Sequence, residues 1–185
     1  MSGCYFKGHR TLHWYQTVFE LIDMRSFTNL WYWVALAVMW SSASHWVLGV
    51  PYDMILRARR QGGAAQRDLE DMVRINTNRL LHFGRSSGVM MVSFGCFMFT
   101  IIVVLGFWYR LEFAQAVFLL LFPLSLVGIM GINTARLIQS GQERGETLHK
   151  RLAKHRLWTQ VIGMLAILVT SIWGMYQNLQ GSPLH

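Results

Sequence analysis

Three histidines mark the borders of the apolar runs in this chain. His45 lies within the first run, near its end, and His82 and His155 stand just before the second and the fourth. Neutral imidazoles meeting at one edge of a bilayer could bind haem or a transition metal. The competing reading is plainer. Histidine beside a basic stretch is an ordinary interfacial residue, and His45 can hydrogen-bond a serine on a packed helix. Ligation needs a convergence that spacing alone does not supply. His45, His82 and His155 are therefore the candidates for a cofactor site, while no cofactor and no metal are expected.

The other reactive residue types are sparse. Cys4 and Cys96 lie far apart and make neither a disulfide framework nor a metal knuckle. Cys96 reads as a small packing residue. The chain has no H-E-x-x-H, P-loop, G-x-G-x-x-G or C-x-x-C pattern. No acid lies deep inside an apolar run, which weakens a proton pump or ion-coupled transporter. No catalysis is expected.

The elements that would position these residues are membrane helices. Of the 185 residues, 53% are hydrophobic and only 14% charged, which points to a membrane class. The spacing predicts an all-α polytopic membrane protein, a single domain with four transmembrane helices over about 30–50, 89–109, 113–132 and 157–176. Each run is about 20 residues, roughly 30 Å of helix, which matches a hydrocarbon core. Trp31, Trp33, Trp108 and Tyr109 fit the aromatic belts. Arg110 to Glu112 makes a tight hairpin between the second and third spans, and Pro123 is expected to kink the third. Residues 1–29 read as an interfacial lead with a short amphipathic helix from Tyr15.

Two basic stretches, 51–88 and 133–156, hold thirteen of the seventeen Lys and Arg residues. Arginine-rich loops stay in the cytoplasm, so both stretches lie there and both termini fall in the periplasm. In the first, Leu69, Met72, Val73, Leu80 and Phe83 line one side of a cytoplasmic amphipathic helix from about Ala64 to Phe83, with Asn76 interrupting the stripe. The net charge of +8 collects beside apolar runs. Its partners are then anionic lipid headgroups, with Arg57, Arg59, Arg60, Arg151 and Arg156 as candidates. Nucleic acid is not expected, because no aromatic platform accompanies the charge.

The first span carries a face of small residues, Ala37, Ser41 and Ser44. Such faces mark close helix packing, either inside the bundle or against a partner.

The stretch VFELIDMRSFTNLWYWVALAVMWSSASHWVLGVPYDMILRARR and the hairpin after it resemble a family of small alphaproteobacterial membrane proteins labelled "component of SufBCD complex". The resemblance is best from Trp14 to Arg60 and runs through the fourth span. It implies association with the soluble iron-sulfur scaffold and ATPase assembly. Two isolated cysteines cannot ligate a cluster in the usual four-thiolate way, so the implied role is a tether acting through the basic loops.

The leading expectation is a non-catalytic accessory or assembly protein of a larger complex in the bacterial inner membrane. Its partners would be lipids and a membrane protein or a second copy of itself. A membrane tether for iron-sulfur cluster assembly and a small haem- or quinone-binding redox subunit are the alternatives.

Overall fold

The structure, a computed structural model, describes residues 30–141 and 143–181. The expected lead over 1–29 lies outside the described residues. Five helices and one tight β-turn make up nearly all of the described chain: α1 (Leu30–His45), β1 (Trp46–Val47), β2 (Val50–Pro51), α2 (Tyr52–Gln61), α3 (Gly63–Val103), α4 (Glu112–Gly141) and α5 (Gly145–Gly181). A π-helical segment, Val104–Trp108, closes α3. Helices α3 with its π segment, α4 and α5 are each long and apolar enough to cross a membrane. The described part of α1 has 16 residues, about 24 Å of helix and short of a full crossing.

Where elements join, the structure differs from the sequence reading. The amphipathic helix and the second span are one helix. Ser86, Ser87 and Gly88 do not break α3, because none is proline and no turn residue in a left-handed conformation intervenes. At 41 residues, α3 runs about 60 Å, twice a hydrocarbon core. The second basic stretch is also helical: α4 continues past Ile132 to Gly141, and α5 begins again at Gly145. Helix α4 runs through Pro123 without interruption.

The helix expected as the first span ends at His45 rather than at Val50. Leu48 and Gly49 both have positive φ, 52° and 76°, the requirement at the two central positions of a type I′ hairpin turn. Trp46 pairs with Pro51 and Val47 with Val50. The chain thus reverses immediately after α1 instead of continuing as helix.

The buried residues form two cores. One lies where the basic stretches meet: Val47 and Val50 from the turn, Ile55 and Ala58 from α2, Leu69 and Val73 from α3, Ile138 from α4, and Leu148 and Leu152 from α5. The expected surface helix is therefore one wall of a packed module. The second core lies among the apolar runs, where Leu36 and Trp40 of α1 meet Ala166 of α5. The buried face of α5 reads Leu148, Leu152, His155, Thr159, Gly163, Ala166, Thr170 and Gly174. That four-three spacing is the seam of a packed helix.

Three hydroxyls within the apolar runs bond their own helix. Thr100 donates to the Cys96 carbonyl at 2.8 Å, Ser125 to Phe122 at 2.7 Å and Ser171 to Ile167 at 2.8 Å. This is how a polar side chain is satisfied where water is absent.

Candidate functional site

The sequence-predicted site residues separate in space. His45 and His82 are exposed, each edge-on to a neighbouring ring, Trp46 and Phe83. His155 is buried, with Nδ1 3.2 Å from Thr134 Oγ1. That hydroxyl also donates to the Met130 carbonyl at 2.8 Å, so its proton is committed and His155 Nδ1–H is the donor between them. Among the described residues, no three His, Cys, Asp or Glu side chains come together as a metal-holding group.

Most of the small-residue stripe of α1 lies outside the packed core of the chain. Ala37 and Ser41 are exposed and Ser44 half-buried, while Leu36 and Trp40 are the buried pair. The small residues that admit close packing are on the other helix. A Cβ built on Gly163 of α5 would stand 2.7 Å from Trp40 Cε3. Both sets were visible as small residues at helical spacing, but only packing shows which one receives the bulky partner.

The basic residues also divide. Arg57, Arg59 and Arg60 of α2 are exposed and available to headgroups. Arg156 acts within the fold: its Nε donates to the Ser44 carbonyl at 3.3 Å, and its guanidinium lies 3.6 Å over the Tyr52 ring. It thus bonds an end carbonyl of α1, where a cation complements the helix dipole, and ties α1 to α2 and α5. Arg151 forms a two-pronged ion pair with Glu143, with Nε 3.0 Å from Oε2. That pairing holds the Glu143 carboxyl below the usual carboxylate range.

His149, which the sequence did not single out, anchors the basic module. It is buried, and its Nε2 donates to Gln66 Oε1 at 2.7 Å. Gln66 Nε2 donates to Glu70 Oε1 at 2.7 Å, and the Gly145 N–H reaches the same oxygen at 2.9 Å. These bonds, from Gln66 first and Gly145 second, hold the Glu70 carboxyl below its ordinary value. The carboxylate also sits at the start of α5, where the helix dipole favours an anion. The signal in the sequence was Glu70 four residues after Gln66; the partner 75 residues on was not visible.

At the opposite end, Gln115 is buried and central. Its Nε2 donates to the Gly106 carbonyl at 2.7 Å, and its Oε1 accepts from Trp173 Nε1 at 3.0 Å and from Gln177 Nε2 at 2.5 Å. Gly106 sits in the π segment, and a Cβ there would stand 3.1 Å from the Gln115 backbone nitrogen. This cluster satisfies its own polar atoms and locks the hairpin.

Two recesses flank the module. One, of about 490 Å³, lies between α3 and the α4–α5 turn. Its cations Arg67, Arg74 and Arg144 are matched by Glu70, Asp71 and Glu143, so it has no net preference for an anion. The buried Thr77 hydroxyl beneath it has no hydrogen-bond partner. The second, of about 390 Å³, lies between α4 and α5 and has no acid in its lining.

The membrane part of α3 is the remaining feature. No residue of its most apolar 18-residue window is buried. Gly84, Gly88 and Gly95 have no atom within 4 Å of a built Cβ. Free Cys96 is exposed on the same helix. No protein-family model, no curated protein and no solved structure matches this chain.

Proposed function

We propose that this chain is a non-catalytic integral membrane accessory or assembly protein that receives a helix of a larger membrane complex, or of a second copy, against α3. The observation that carries the reading is the apolar window of α3, none of which the chain itself buries. Helices in lipid associate by close van der Waals packing, and glycines four apart, such as Gly84 and Gly88, permit it. The exposed arginines of α2 meet anionic headgroups, and the module at the basic end lies in the cytoplasm of a bacterial inner membrane. Helix α1 is the fourth span, and both termini are periplasmic. Reporter fusions after Gly62 and Gly145 then read cytoplasm, and a fusion at the C-terminus reads the outside.

The partner reading is tested by a photo-crosslinking amino acid in place of Gly95, activated in native membranes. A discrete crosslinked species identified by mass spectrometry supports it. Crosslinks to lipid alone would sink it.

A second reading, a tether for soluble iron-sulfur assembly proteins, is favoured by the packed module at the basic end. A folded surface can hold a soluble partner where a loose loop could not. Recovery of iron-sulfur scaffold proteins with the tagged chain, lost when Arg59 and Arg60 become Glu, is its expected result.

A further inference from the structure

We propose that the recess between α4 and α5 is a binding site for one anionic phospholipid. The proposal rests on the membrane reading above and adds a defined ligand to it. The recess is amphiphilic along its length. Leu126, Ile129 and Met130 of α4 and Trp158 of α5 line it toward the apolar runs, and Arg151 and Lys154 line it toward the basic end. The two helices are antiparallel neighbours joined by a short turn, so the cations of α5 lie level with Asn133 and Leu137 of α4.

Charge complementarity selects the occupant. No carboxylate lines the recess. Glu143 engages Arg151 through Nε and Nη2, which leaves further guanidinium N–H donors. Lys154 is exposed and makes no ion pair among the described residues. A phosphate at this end meets a full ammonium charge and a partly compensated guanidinium. The other end offers apolar side chains that remain largely exposed: Leu126 at 42%, Ile129 at 56% and Trp158 at 49%. An acyl chain covers them, and the indole sits at the headgroup boundary where tryptophan is favoured. A soluble anion would leave this apolar half uncovered. A volume of about 390 Å³ suits a headgroup with the first methylenes, and basic pockets between membrane helices hold anionic headgroups by the same chemistry.

The test is native mass spectrometry of the full chain in mild detergent, titrated with phosphatidylglycerol or phosphatidylcholine. One phosphatidylglycerol should be retained in preference to phosphatidylcholine. Lys154→Gln should weaken phosphatidylglycerol about fivefold, the effect of one cation at a lipid surface, and leave phosphatidylcholine unchanged. Arg136→Gln removes a charge at a similar level of α4 outside the recess and should have no effect. Asn133→Trp, at an exposed position, should fill the recess and abolish retention while thermal stability holds. Equal retention of both lipids overturns the proposal, as does an Arg136→Gln effect matching Lys154→Gln or retention unaffected by Asn133→Trp. Displacement by equimolar glycerol 3-phosphate would assign the site to a free phosphate instead. Alkaline carbonate extraction separates the two layers of inference. Release of the chain from membranes sinks the membrane reading, whereas a membrane-retained chain without lipid preference sinks only the lipid site.

Discussion

The indole of Trp40 lies across the Cα of Gly163, so that any Cβ at residue 163 would come within 2.7 Å of the ring. This contact fixes α1 to α5. An indole is rigid and buried here, so it cannot yield as a flexible side chain would. Gly163→Ala should therefore destabilise the protein by about 1–3 kcal/mol, the usual cost of overpacking, read as a lower Tm in detergent. Gly128→Ala is the control, since nothing lies within 4 Å of a Cβ there. Equal Tm values for the two variants would mean that α1 and α5 do not pack in this register.

Asn76 joins the turn after α1 to α3. Its Nδ2 donates to the Gly49 carbonyl at 3.0 Å, which accounts for a polar residue in an otherwise apolar stripe. Asn76→Leu should cost about 0.5–1.5 kcal/mol, the net value of one hydrogen bond. Gly49→Ala should cost more, because φ is +76° and the new Cβ would meet the Asn76 amide at 3.1 Å. Thermal melts of the two variants check the order, and the reverse order would contradict this turn.

Ala37 and Ser41 are exposed in the chain, so added bulk at Ser41 meets no internal neighbour. Ser41→Leu and Ala35→Leu should both leave the Tm of the isolated protein near wild type, within the ±0.5 kcal/mol typical of surface changes. A fall for Ser41→Leu comparable to that of Gly163→Ala would show α1 rotated about its axis.

Acid should loosen the basic module. The Glu70 and Glu143 carboxyls are depressed by their hydrogen bonds to Gln66 and Gly145 and to Arg151. Depressed carboxylates contribute stability that is fully present above the unfolded value of about 4.3 and is lost as pH falls through the lower folded values. Tm should hold from neutral pH to about pH 5 and then fall. A Glu70→Gln, Glu143→Gln double variant should start lower and lose less on acidification. An identical acid response in variant and wild type would place the sensitive groups elsewhere.

The apolar runs of α3, α4 and α5 and the hairpin near Arg110 were legible because hydropathy and aromatic belts act locally. The helix boundaries were not. Ser86 to Gly88 looks like a break, yet nothing there forces one. Leu48 resembles a strand or helix residue and gives no hint of its left-handed backbone. The site was harder still. Arg156 and Arg151 read as surface charge, but their partners Ser44 and Glu143 are set by packing and by a turn. His149 and Gln115 had no local signal beyond being polar, because the bonds that define them come from 83 and 58 residues away. The small residues of α1 and α5 were equally visible, and only Trp40 decided between them.

The face of α3 that the chain leaves bare carries the partner reading, and Gly88→Leu addresses it directly. No atom lies within 4 Å of a Cβ at that position, so the variant should fold with an unchanged Tm. The measurement is affinity purification of tagged wild type and Gly88→Leu from native membranes in mild detergent, followed by mass spectrometry and mass determination of the complex. Wild type should bring down a stoichiometric membrane protein or a second copy of itself, and Gly88→Leu should lose it. A wild-type chain that purifies as a lone monomer, or a partner held equally well by Gly88→Leu, would contradict the account.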